Sequence, residues 1–195
     1  MSAELSVVIP SHNRPDLLRA CLVSVTRYAP ADTEILVVDD GSPGGSVSAV
    51  AVEFAHTRCL RSPRRRGFCA AANAGIAAAR TPVVELLNDD TEVEPGWAEA
   101  ALARFTDPAV AAVAPLVLRW DGTGEPAAID SAGDCYFRGG VAAKRGHGQP
   151  LPWAGCSSGA AGTYRSPSAK ERRRGRSINQ IRARRAQWIA QDCCA

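Results

Sequence analysis

The sequence predicts an α/β fold, a mostly parallel sheet flanked by helices. Three observations carry that expectation. Short apolar runs rich in β-branched residues alternate with segments of helical periodicity. The runs are continuously apolar, as strands covered on both faces should be. Polar motifs stand directly after three of them: Ser11-His-Asn13, Asp39-Asp-Gly-Ser42 and Asn88-Asp-Asp-Thr91. Ligands of open α/β sheets bind outside the carboxyl ends of the strands, so these loops are expected to converge on one site.

The elements follow in order. Leu5 to Ile9 reads as a buried strand ending at Pro10. Pro15 opens a helix with Leu17, Leu18, Cys21, Leu22 and Val25 on one face. Glu34 to Val38 is a second buried strand, Ser46 to Ala55 a helix, and Cys59-Leu60 a short third strand. Gly67 starts a small-residue helix, Phe68 to Ala79, whose alanines permit close packing on a sheet. Pro82 to Leu87 is a further strand. Pro95 begins a helix through Phe105, stopped near Asp107-Pro108, and Val110 to Leu118 reads as a strand. From Asp121 to Pro152, frequent Gly and Pro suggest a hairpin-rich excursion. Beyond Tyr164 the chain is Arg-rich and aperiodic. Ile178, Ile181, Trp188 and Ile189 give only a thin apolar stripe for a marginal helix.

Composition sets the outer bounds. At 195 residues and 46% hydrophobic, the chain is globular, with residues 1–164 as a domain and 165–195 as a basic tail. The net charge of +3 is an average of unlike parts. Residues 1–164 hold 14 Arg and Lys against 18 Asp and Glu, and residues 165–195 hold 9 against 2. No apolar run approaches the length of a membrane-spanning helix. Met1 to Pro10 lacks the basic start of a secretory leader, so a cytoplasmic location is expected. The seven cysteines are odd in number and form no CxxC pair, which suits free thiols and signals no zinc ribbon. Arginine supplies 21 of the 23 basic residues, which reads as a coding bias.

The acidic motifs carry the chemistry. Asp89 and Asp90 are adjacent carboxylates past a strand end, whose repulsion a hard divalent cation, Mg²⁺ or Mn²⁺, would relieve while bridging to phosphate. The competing reading is a turn that caps the next helix. Asp39 and Asp40 can accept hydrogen bonds from a base or a ribose, or simply shape an Asp-Gly turn. Arg64, Arg65 and Arg66 precede Gly67 and a helix N-terminus, a setting that favours phosphate, unless they are only a solvated charge run. His12 either lines the pocket or is structural. There is no P-loop and no GxGxxG.

The order of motifs resembles family 2 glycosyltransferases of the GT-A fold, and most closely their rhamnosyltransferase-like branch. Val8-Ile-Pro-Ser-His-Asn-Arg14, Val37-Val-Asp-Asp-Gly-Ser42, Arg66-Gly-Phe-Cys-Ala-Ala-Ala-Asn-Ala-Gly75 and Leu86-Leu-Asn-Asp-Asp-Thr-Glu-Val-Glu-Pro-Gly-Trp97 carry the resemblance, over roughly residues 5–165. It implies a Rossmann-like sheet, incomplete at its C-terminal side. It implies that Pro10, His12, Asn13, Asp39, Asp40, Gly67 and Asn73 surround a nucleotide-sugar donor of UDP or dTDP type. Asp90 would hold Mg²⁺ or Mn²⁺, with Asp89 on ribose or the metal's water shell. Asn88 stands where the family more usually has an acid.

The implied reaction is metal-assisted, inverting transfer to a glycan or lipid-linked acceptor in polysaccharide or cell-wall synthesis. Such an acceptor would place the chain at the inner face of a membrane, in peripheral association. Ser158 to Arg165 resembles the start of the family's Gly-rich segment, and the sequence from Ser166 to Ala195 resembles nothing in it. No acid there matches the catalytic base, so the catalytic residue is unassigned and a truncation or frameshift is expected. The alternatives are an inactive nucleotide-sugar-binding remnant and, less in keeping with the motifs, a nucleotidyltransferase, whose Gly-rich loop and lysine are missing. The Arg-rich tail could bind acidic surfaces electrostatically, but a solvated tail is the simpler reading and no nucleic-acid partner is expected.

Overall fold

The first strand, β1 (Leu5–Ser11), is buried along its whole length. In the computed structural model, which describes residues 4–120, 126–138, 140–151, 162–167 and 185–189, it is the hub of a four-stranded sheet. β2 (Glu34–Asp39) pairs on one side and β4 (Val83–Leu86) on the other, with β3 (Thr57–Arg61) outside β2. All pairings are parallel, and Val8 stands opposite both Leu36 and Leu86. Neighbouring parallel strands need crossover connections, and the helices between them supply these.

Alternate strand residues face opposite sides of the sheet. On one side Val8, Leu36 and Val38 form a buried cluster with Ala71 of α3 (Phe68–Ala78). Gly75 lets α3 come this close: a Cβ there would lie 2.3 Å from Val8 Cγ1. The small-residue composition of this helix is therefore a packing device. The other side carries α2 (Ser46–Ala51), where Cys59 Sγ lies 3.5 Å from Ser48 Oγ. α1 (Pro15–Tyr28) packs beside α2 and buries Leu18, Cys21, Leu22 and Val25. Its N-terminal Pro15 and Asp16 and its C-terminal Arg27 suit the helix dipole.

The chain divides into two compact units between Thr91 and Glu92. The second unit contains α4 (Trp97–Arg104), β5 (Ala114–Trp120), β6 (Pro126–Ser131), β7 (Asp134–Tyr136), β8 (Ala142–Lys144), β9 (Gly162–Pro167) and β10 (Arg185–Ile189). β7 and β8 pair as an antiparallel hairpin, in the region where hairpins are expected. β5 runs parallel to β9 and antiparallel to β10. Leu116, Leu118, Ile129 and Ala132 form a small core.

Four expectations need correction. α2 stops at Ala51 and not at Ala55, because the Glu53 and Phe54 amides donate to Val50 and Ala51, three residues back and not four. α4 begins at Trp97 and not at Pro95, because Gly96 takes a left-handed conformation (φ +81) that no helix interior accommodates. β5 begins at Ala114, four residues later than read, after a turn in which the Val110 amide donates to the Asp107 carbonyl. Trp188 and Ile189 lie in strand β10 and not on a helix, while Ile178 and Ile181 fall outside the described residues.

Candidate functional site

The strand order β3-β2-β1-β4 places a topological switch point at β1. The chain fills one side of β1 first and then returns to the other. In open α/β sheets a crevice at the carboxyl edge of such a point is where ligands bind. β4 leaves the ladder at Leu86, opposite Val8, whereas β1 continues to Ser11. Pro10 sits in that overhang. The backbone groups of Glu4 and Val8 face β4, so the N–H that Pro10 lacks would face a strand already gone.

Asp89 and Asp90 stand at this edge, bonded to the loop that leaves β1. Ser11 Oγ donates to Asp89 Oδ2 at 2.7 Å. Arg14 Nη1 donates to Asp89 Oδ1 at 3.2 Å and to Asp90 Oδ2 at 3.3 Å. The two carboxylate side chains are only 8% and 4% exposed, and Arg14 is 48% exposed. Adjacent acids so far removed from water require compensation. The guanidinium and the Ser11 hydroxyl contribute it. The backbone of Asn88 to Thr91 is a turn, closed by the Thr91 amide on the Asn88 carbonyl at 3.1 Å, and Asn88 itself is exposed. These four residues thus form a turn that carries two paired acids.

The β2 loop is held from within. Asp39 is fully buried, with Oδ1 accepting from the Ser42 amide at 2.8 Å and Oδ2 from Ser48 Oγ at 2.5 Å. Arg61 lies 3.5 Å from Oδ2. Burial pushes the Asp39 pKa up, but Ser48, Ser42 and Arg61 outweigh it and leave the carboxyl below its ordinary value. Asp40 accepts from two backbone amides, Arg66 at Oδ1 and Gly67 at Oδ2, both at 2.8 Å. It clamps the start of α3 to the β2 loop. Gly41 (φ +69) makes the clamp possible, since a Cβ there would lie 2.4 Å from the Arg64 carbonyl carbon.

The β1 loop ties these together. His12 Nδ1 lies 2.9 Å from the Asp40 carbonyl, so Nδ1 carries the proton and Nε2 is left as the acceptor when the ring is neutral. Asn13 takes a left-handed φ of 54°, which asparagine tolerates, and its amide donates to Ser42 Oγ at 3.0 Å. Pro10, His12, Asn13, Asp39, Asp40, Gly67, Asp89 and Asp90 thus lie along one edge of the sheet. Asn73 is exposed on α3, six residues past Gly67 and so about 9 Å further along that helix. Arg64, Arg65 and Arg66 are all exposed. Ser11, Arg14, Ser42, Ser48 and Arg61 escaped the sequence reading as site residues. Ser11, Arg14 and Ser42 lay inside the quoted motifs, so hydroxyls and cations beside strand-end acids were the available signal.

Among the described residues, no three His, Cys, Asp or Glu side chains gather into a metal cage. Mg²⁺ and Mn²⁺ do not need one, because one or two carboxylates plus substrate phosphate and water suffice. Asp89 and Asp90 fit a cation whose shell the ligand completes.

A parallel sheet with polar loops at its switch point defines the class of α/β proteins that bind ligands at that edge. The sequence model for glycosyl transferase family 2 matches residues 6–173, and the chain belongs to that family. The match runs past residue 165, where the resemblance read from motifs stopped. The chain is 34% identical over 119 residues to the pre-mycofactocin glycosyltransferase of Mycobacterium tuberculosis, a stretch covering 59% of this chain and 24% of that protein. It is 32% identical to polypeptide N-acetylgalactosaminyltransferase 4 of Caenorhabditis elegans, over 57% of this chain and 20% of that protein. It is 27% identical to the glycosyltransferase AglE of Haloferax volcanii, over 72% of this chain and 43% of that protein. The matched stretch therefore spans less than half the length of each of these relatives.

Proposed function

We propose that this chain is the donor-binding part of a glycosyltransferase. It takes a nucleoside-diphosphate sugar, of UDP or dTDP type, into the crevice at the β1–β4 switch point. The sugar then passes with inversion to a glycan or lipid-linked acceptor. The observation that supports this best is the convergence of the β1, β2 and β4 loops on one sheet edge, in a chain of glycosyl transferase family 2.

The residues take distinct parts in this reading. Asp39 and Asp40 fix the loops through their internal hydrogen bonds. His12 Nε2, Asn13, the edge at Pro10 and the start of α3 at Gly67 face the base and ribose, with Asn73 flanking. Asp90, with Asp89 beside it, holds Mg²⁺ or Mn²⁺. Such a cation, when bound, neutralises the diphosphate and eases its departure. Inversion also needs a base at the acceptor hydroxyl, and no residue is assigned that part. No helix of the described residues is long and apolar enough to cross a membrane. A lipid-linked acceptor would be met through peripheral contact.

Incubation with a panel of UDP- and dTDP-sugars and Mn²⁺ tests the proposal, with release of the nucleoside diphosphate and sugar transfer as readouts. Turnover of one donor supports it. Tight binding without turnover selects the second reading, a nucleotide-sugar-binding remnant. Absence of both binding and turnover sinks it.

A further inference from the structure

Arg14 is the member of the crevice that strand-end logic does not demand. It stands at the N-cap of α1 without making a side-chain cap. Its Nη1 serves two carboxylates at once, at 3.2 Å from Asp89 and 3.3 Å from Asp90. A guanidinium usually meets a carboxylate as a fork, with two parallel N–H···O bonds to one partner. One nitrogen between two acids is instead the arrangement a point cation adopts. The other Asp89 oxygen already takes the Ser11 hydroxyl, so the convergence point of the pair is where Arg14 sits.

Two properties of that contact matter. The guanidinium sets a positive charge on the oxygens a divalent cation would seek. Two cations at such short range repel, the more so away from bulk water. Arg14 is also half in water, so its side chain can leave the pair without opening the core.

We infer that Arg14 is the resident counter-ion of the Asp89–Asp90 pair, and that a divalent cation binds this chain by displacing its guanidinium. Arg14 is thus a positioning residue that sets how tightly the crevice takes metal. The inference rests on the metal-assisted reading above and adds what holds the two acids before metal arrives.

The test is Mn²⁺ binding to the full chain without nucleotide, read from the spectroscopic signal of free Mn²⁺. Arg14→Gln should tighten Mn²⁺ binding roughly tenfold, because the competing charge is gone. Arg14→Met should do the same, and serves if the glutamine variant does not fold. Arg14→Lys keeps a point charge and should stay within about threefold of the unaltered chain. Unchanged or weaker Mn²⁺ binding in both neutral variants overturns the inference. So does a lysine variant that behaves like the neutral ones. In either case, Mn²⁺ binding that Asp90→Ala abolishes would leave the metal reading standing. No Mn²⁺ binding by any form, without nucleotide and again with UDP or dTDP present, overturns both.

Discussion

The two ends of one sheet each set carboxylates against arginine, and they do so differently. At the amino end, Glu34 opens β2 and accepts from Ser6 Oγ at 2.6 Å, the Arg80 amide at 3.0 Å and the Arg58 guanidinium. Thr81 Oγ1 extends the network to Ser6 at 2.8 Å. These partners come from β1, β3 and the approach to β4, so the cluster knots the strand starts together. At the carboxyl end, Asp89 and Asp90 share one half-exposed guanidinium from a loop. The amino end holds an acid with partners fixed by the sheet. The carboxyl end pairs its Asp89 and Asp90 with a side chain that is half in water. The sheet-fixed acid and the solvent-facing pair thus lie at opposite ends of the strands.

Substitutions at the two ends should separate in the same way. Glu34→Ala should lower unfolding free energy the most, by about 3 kcal/mol, since the Ser6 hydroxyl, the Arg80 amide and the Arg58 guanidinium each lose an acceptor. Urea denaturation measures that, and nucleotide affinity of the folded fraction should not move. A Glu34→Ala chain as stable as the unaltered one would erase the contrast between the two ends. Asp40→Ala should cost about 2 kcal/mol, because the Arg66 and Gly67 amides lose their acceptor. Unlike the Glu34 variant, it should also weaken UDP binding by calorimetry, as the start of α3 comes free.

The smallest effect is on pH dependence. Burial pushes the Glu34 pKa up, but Ser6, Arg80 and Arg58 prevail and hold it below the ordinary 4.5. Asp39 is likewise held below 3.8. A carboxyl depressed by folding binds more protons in the unfolded chain. Its stabilisation is present above the unfolded pKa and is lost as pH falls through the folded one. Stability should therefore hold from neutral pH to near 4.5 and decline below it. Glu34→Gln should make that acid decline shallower, whereas Asn88→Gln should leave it unchanged.

How much of this was legible in the sequence depended on which forces act locally. The four strands and α1 were legible because continuous β-branched runs and one apolar helix face report burial directly. Gly75 was visible as a small residue, but its contact with Val8 depends on two segments far apart in sequence. The end of α2 and the start of α4 were misplaced because third-neighbour hydrogen bonds after Ala51 and the left-handed Gly96 bound the helices where composition did not. The acidic motifs announced carboxylates at the sheet edge, but not their internal pairing. That Asp40 would clamp backbone amides 26 and 27 residues away follows from packing, which spacing does not reveal. Arg14 was part of a quoted motif, yet its partners lie 75 and 76 residues on.

The most direct test of the crevice as a nucleotide and metal site is a thermal-shift titration with UDP and dTDP, with and without Mn²⁺, on the unaltered chain and on Asp90→Ala. A ligand that binds only the folded state at a hundred times its Kd stabilises by about 2.7 kcal/mol, or roughly 5–10 °C here. The unaltered chain should show a Mn²⁺-dependent rise of that size with one of the two nucleotides. Asp90→Ala should melt normally on its own and lose the rise. A rise that survives Asp90→Ala, or none with either nucleotide, would contradict the assignment.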